Sequence, residues 1–303
     1  MAASDYEVLD ESFRNCVNRT SHVERLWSGA RWTEGPVYFP AGRYTLFSDI
    51  PNDRIMRYDE TDGSVSVFRA PCGYTNGHTV DRQGRLVSCE HGGRRVSRTE
   101  HDGRITVIAD NYQGKKFNSP NDVVVKSDDS IWFTDPPYGI LSDYEGHKAE
   151  QESGNNVYRV DGQTGEIQIV ADDFIRPNGL AFSADETKLY IVDSAGGRTR
   201  GQPKHIRVFD VGENGKLAGG KEFADCTAGR FDGMRFDTDG RLWAATDDGV
   251  HCLDTGGTLI GKVKIREICS NVVFGGPKRN MLYITATNSL YGVMVHVNGA
   301  KTF

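Results

Sequence analysis

The chain of 303 residues predicts an all-β fold, a six-bladed β-propeller whose ring is closed by an N-terminal strand. Three observations predict it. Six strand-like runs each open on Glu, Asn or Asp. A second strand-like run answers each of them across a tight turn. The openers begin at Glu34, Asn76, Asn121, Asn178, Asp232 and Asn271, so the interval between them runs from 39 to 57 residues. A period of roughly 40–50 residues holding about four short strands is that of a propeller blade.

The openers read Glu34-Gly35-Pro36-Val37-Tyr38-Phe39, Asn76-Gly77-His78-Thr79-Val80-Asp81, Asn121-Asp122-Val123-Val124-Val125, Asn178-Gly179-Leu180-Ala181-Phe182, Asp232-Gly233-Met234-Arg235-Phe236 and Asn271-Val272-Val273-Phe274. The answering runs include Tyr44 to Asp49, Gly84 to Cys89, Ser130 to Asp135, Lys188 to Asp193, Gly240 to Ala245 and Asn280 to Thr285. The turns between them, such as Asp81-Arg82-Gln83-Gly84 and Asp237-Thr238-Asp239-Gly240, supply the residues that tolerate positive φ. Third strands follow at Asn156 to Val160 and His205 to Phe209, and fourth strands at Ser64 to Phe68 and Glu166 to Val170. These short β-branched and aromatic runs carry no helical period. The sixth period has room for only three strands. The missing outer strand is expected from His22-Val23-Glu24-Arg25-Leu26-Trp27, which hides an open edge. Residues 1–20 then form an N-terminal extension, and 21–303 a single propeller domain. One polar insertion, Pro136 to Gly154, interrupts the third period and lies on a rim, either as a lid or as a plain surface loop.

Composition removes several function classes. A net charge of −6 with no basic cluster argues against a nucleic-acid partner. No apolar run approaches membrane-spanning length, and the N-terminus Met1-Ala2-Ala3-Ser4-Asp5-Tyr6-Glu7 has no apolar signal core. Six cysteines without a C-x-x-C pair read as reduced thiols of a cytoplasmic protein. The sequence carries no sign of oligomeric state.

The openers also carry the chemistry. In a propeller the first strand of each blade lines the central axis, so equivalent residues of all blades converge. Glu34 and Asp232 offer carboxylates there, and Asn121 and Asn178 offer amide oxygens. One Asn-Gly pair is ordinary turn chemistry, but turn chemistry does not require an oxygen-bearing head in every period. Two charges and two amides without thiol or imidazole suit one hard divalent cation, calcium first, with manganese, magnesium or zinc tolerated by an adaptable site. Asn76 and Asn271 could line a substrate pocket, hold an axial water or cap a strand. His78 reads as a strand residue packed between blades ahead of a catalytic one. No Gly-x-Ser-x-Gly elbow is present.

The segments Trp32 to Tyr38, Asn118-Ser119-Pro120-Asn121-Asp122-Val123, Arg176 to Ser183 and Phe231 to Asp237 resemble signature segments of the gluconolactonase, senescence-marker-protein (regucalcin) and luciferin-regenerating-enzyme family. Ile131 to Gly139, and Asn76-Gly77-His78 through Cys89-Glu90-His91, look like bacterial gluconolactonases in particular. The resemblance spans roughly residues 20 to 300. It implies a six-bladed propeller with one catalytic divalent cation on its axis. It implies Glu34, Asn178 and Asp232 as metal ligands, Asn121 as a metal or substrate contact, and Asp232 as general base. It implies a small sugar lactone, such as glucono-1,5-lactone, as substrate. Regucalcin-type members carry Arg where this chain has Ser119, so their substrate contacts do not transfer. Asn76 is expected to touch substrate. Two other functions fit the same site, phosphotriester hydrolysis and non-enzymatic binding of a metal or ligand.

Overall fold

A computed structural model describes residues 5–18, 20–197 and 199–301; the first four residues of the N-terminal extension therefore lie outside the described residues. Six antiparallel sheets of four or five strands stand around one axis, and Asn111–Tyr112 pairs with Lys115–Lys116 in a separate two-stranded ribbon. Their innermost strands are Thr33–Phe39, Thr75–Val80, Val123–Val125, Pro177–Phe182, Met234–Phe236 and Cys269–Gly275, and we number the blades 1 to 6 in that order. Within blades 1 to 4 the strands step outward in chain order, and blades 5 and 6 do so up to an outermost strand taken from the N-terminal segment. The only helical turns among the described residues are short 3-10 pieces. No helix among them is long and apolar enough to cross a membrane.

Closure follows the sequence expectation. Glu24–Ser28 is the outermost strand of blade 6, with Glu24 opposite Gly292 and Ser28 opposite Ser289. Blade 5 gains a fifth strand that the sequence did not announce, Tyr6–Val8, paired with Gly261–Val263. Between these two strands the wholly buried Phe13 packs on Trp243 of blade 5 at a ring separation of 6.1 Å.

The core is not central. It is divided among the six seams between blades. Val37, Leu46 and Ile55 of blade 1 meet Val80 and Leu86 of blade 2. Val87 and Cys89 meet Val123 and Phe133. Trp132 and Val157 meet Leu180, Leu189 and Ile191. Val192 and Ile206 meet Met234 and Leu242. Trp243 and Val250 meet Val272 and Leu282, and Tyr38 and Phe47 meet Tyr283 and Leu290 across the closing seam. A sheet buried on both faces cannot alternate polar and apolar residues. That is why second strands such as Ile131–Thr134 and Leu242–Thr246 are buried throughout. Outer strands keep one wet face, and Val67 and Val107 are exposed there. All six cysteines are unbridged and buried.

His78 lies in the seam between blades 1 and 2, wholly buried. Its Nε2 is 2.8 Å from Ser48 Oγ and its Nδ1 2.8 Å from Ser88 Oγ. Burial holds its pKa down to about 3. Below about 6.5 the unfolded chain takes up a proton that the folded imidazole refuses until about 3, so this residue makes stability fall as pH drops through that window, by on the order of a few kcal/mol. Urea midpoints at pH 7.5 and 4.5 should therefore separate more for the native chain than for His78→Gln. Equal separations would show that His78 titrates freely in the fold.

Candidate active site

The site is built where the innermost strands begin. Three aspartates that end second strands hold the approach to it. Asp49 Oδ1 accepts from Arg31 N at 2.9 Å, ahead of Glu34. Asp135 accepts from Asn118 N and Ser119 N, both at 2.8 Å, ahead of Asn121. Asp193 accepts from Ile175 N at 2.8 Å and Arg176 N at 3.0 Å, ahead of Asn178.

The second opener residue sets how closely the strands approach. A Cβ on Gly35 would strike the backbone of Asn76, one on Gly77 that of Asn121, one on Gly179 that of Asp232, and one on Gly233 the side chain of Asn271. The glycines therefore serve the ring rather than a turn, because each lets one innermost strand lie against the head of the next. Cross-blade hydrogen bonds run round the same circle. Ser48 Oγ donates to Asn76 O at 2.8 Å, Gly77 N to Asn121 O at 2.8 Å, and Thr134 Oγ1 to Asn178 O at 2.8 Å. Gly233 N donates to Ser270 O at 2.8 Å, and Ser270 Oγ to Thr33 O at 2.7 Å.

Glu34, Asn76, Asn121, Asn178 and Asp232 are each 4% exposed. Gly35 N donates to Glu34 Oε2 at 2.9 Å. Asn178 directs Nδ2 to Ser194 Oγ at 3.2 Å, which leaves Oδ1 as its acceptor end. Burial, then the Asp232 carboxylate, push Glu34 well above the usual carboxylate range. Burial raises Asp232 to about 7, while Arg230 pulls the other way, with Nε 3.9 Å from Asp232 Oδ2. Two carboxylates this deeply buried cannot both stay ionised near neutrality without further positive charge. The oxygen donors of Glu34, Asn178, Asp232 and Asn121 are the set a hard divalent cation takes, and the paired carboxylates supply the charge it would balance.

Asn271 does not join the mouth. Its Oδ1 caps Val272 N at 2.9 Å, and its amide hydrogen-bonds Asp122. Asp122 stands where most openers have glycine and reaches across the channel, with Oδ2 3.9 Å from Arg235 Nη1 of blade 5. The irregular Asn121-Asp122 pair was its visible signal. Arg230 left no signal, since a residue two before Asp232 gains its role only from the fold.

The 136–154 insertion crosses the mouth from blade 3 to both neighbours. Ser119 Oγ donates to Pro136 O at 2.6 Å and accepts from Gly139 N at 2.9 Å, so the serine that departs from the regucalcin pattern anchors this loop. Tyr138 Oη is 2.6 Å from Ser194 Oγ of blade 4, and the Tyr74 and His147 rings meet edge-on at 5.1 Å on the blade 2 side. Glu145 brings a further carboxylate whose charge acts on both Glu34 and Asp232.

The family model described as the SMP-30/gluconolactonase/LRE-like region matches residues 32–288. The chain belongs to that family. A gluconolactonase of Zymomonas mobilis is 33% identical over 301 residues, covering 91% of this chain and 82% of that protein. A 6-deoxy-6-sulfogluconolactonase of Pseudomonas putida is 28% identical, covering 84% and 82%. Among solved structures, a gluconolactonase of Xanthomonas campestris superposes with a TM-score of 0.89 at 34% identity, covering 96% of this chain and 94% of that one. This family membership and the six closed blades agree with the sequence reading.

Proposed function

We propose that this protein hydrolyses a sugar lactone, of the glucono-1,5-lactone kind, to the aldonic acid, using one divalent cation on the propeller axis. The observation that carries the reading is the burial of two carboxylates, Glu34 and Asp232, whose charges act on one another, with Asn178 and Asn121 equally buried at the corresponding places of their blades. The gluconolactonases named above support the substrate class. Glu34, Asn178, Asp232 and Asn121 would hold the cation, calcium first, with manganese, magnesium or zinc accepted. When bound, it polarises the lactone carbonyl and stabilises the developing oxyanion.

The remaining work falls to side chains. Asp232 takes the proton of the attacking water as its oxygen bonds to the carbonyl carbon. The proton then passes to the ring oxygen as the acyl C–O bond breaks, which leaves a hydroxyl and a carboxylic acid, and the acid releases the second water proton to solvent to become the carboxylate. Ligation lowers a carboxylate's basicity, and burial opposes that loss at Asp232. Asp232 would reconcile the two roles by giving one carboxylate oxygen to the cation and the other to the water. Asn76 and Asn121 meet the sugar hydroxyls.

The same parts could polarise a phosphoryl oxygen, so the test uses both ester classes. Purified protein loaded with calcium is offered a panel of 1,4- and 1,5-aldonolactones and a phosphotriester. Turnover of an aldonolactone well above that of the phosphotriester is expected. Turnover of the phosphotriester alone, or of neither, rejects the lactonase reading.

A further inference from the structure

His91 lies between the axial ring and the 136–154 loop and is wholly buried. Its Nε2 is 3.2 Å from Asn76 Nδ2, and its Nδ1 is 3.1 Å from the main-chain oxygen of Glu145. Gly139 of the same loop faces its ring so closely that a Cβ there would collide with it. The two partners settle the tautomer. A carbonyl oxygen only accepts, so Nδ1 carries the proton, and the Nε2 lone pair receives the amide of Asn76. With Nδ2 held by the imidazole, Oδ1 is the end of Asn76 left to meet a ligand. Burial pushes the imidazole pKa down to about 4, so the neutral form persists through the physiological range.

Ser194 repeats this arrangement on the opposite side. Its hydroxyl meets Tyr138 of the loop and the amide of the axial Asn178. Two axial amides are thus oriented by groups that also hold the loop down.

We infer that His91 is a positioning residue: it turns Asn76 Oδ1 toward the hydroxyls of the bound lactone and ties that orientation to closure of the 136–154 loop over the site. This rests on the lactonase reading, with Asn76 as a substrate contact. A residue acting through Asn76 must lose its effect once the Asn76 amide is gone.

The test is a double-mutant cycle of His91→Ala, Asn76→Ala and the double variant, assayed with glucono-1,5-lactone and saturating calcium. Each single change should lower kcat/KM by about 10–100-fold, mainly through KM. The double variant should fall no further than the worse single one, with calcium affinity unchanged in all three. Losses that multiply, or a His91→Ala enzyme with native KM, overturn the inference. A second measurement needs no turnover and no variant that must fold well. Spectra of histidine 15N-labelled native protein report the tautomer, and His91 should be protonated on Nδ1. Protonation on Nε2 overturns the proposed geometry even in an active enzyme. If the native protein turns over no lactone, the lactonase reading fails by itself and the spectrum still decides the His91–Asn76 arrangement.

Discussion

Asp232→Asn is expected to lower lactone turnover by on the order of 10²-fold or more while the cation remains partly bound, because the amide keeps an oxygen ligand but cannot take a proton. Asp232 is 4% exposed and its charge acts on Glu34, with Arg230 Nε 3.9 Å from its Oδ2. Burial has raised it to about 7, which is where a general base is most useful at neutral pH. Arg230 opposes that shift and keeps the carboxylate from resting fully protonated. The Asn variant removes one negative charge from the pair, so cation affinity should weaken without vanishing. Asp232→Ala removes the ligand as well and should lose binding and turnover together. The two variants, assayed at saturating calcium and titrated for calcium by calorimetry, separate the base role from the ligand role. Near-native turnover of Asp232→Asn with calcium bound would make Asp232 a ligand only and move the base to another group near the site.

What could be read from the sequence was whatever repeats. The blade period, the opening heads and the short last period are periodic features, and they led to six blades and to closure at 22–27, against the observed Glu24–Ser28. Tyr6–Val8 was not legible, because three residues carry no pattern and its place depends on the edge that blade 5 leaves open. The heads Glu34, Asn76, Asn121, Asn178 and Asp232 could be picked out because each stands within two residues of the start of a strand beside the axis. The glycines beside them were visible, but their reason was not. Their φ values do not explain the set, since Gly35 alone among Gly35, Gly77, Gly179 and Gly233 has a positive φ, of 54°. What they share is the neighbouring blade, which no local reading contains. His91 and Arg230 were missed for the same reason. His91 follows Asn76 by 15 residues but meets it only because blade 2 folds back on itself, and its other partner, Glu145, comes from blade 3. The insertion at 136–154 was recognisable as a break in rhythm, whereas its course over the mouth depends on Ser119, Ser194 and His91 together.

We propose that the axial oxygens bind a divalent cation on which lactone hydrolysis depends. Removing it leaves Glu34 and Asp232 to repel each other in a buried site, and it also withdraws the stabilisation a ligand gives the folded state, about 2.7 kcal/mol when present at a hundredfold excess over its Kd. The decisive measurement is lactone turnover, with thermal unfolding in parallel, on protein stripped with chelator, verified metal-free by elemental analysis and then titrated with calcium. Turnover is expected to fall by at least about 10²-fold in the stripped protein, with a lower Tm, and both should recover at one equivalent of cation per chain. Native turnover from verified metal-free protein would contradict the proposal.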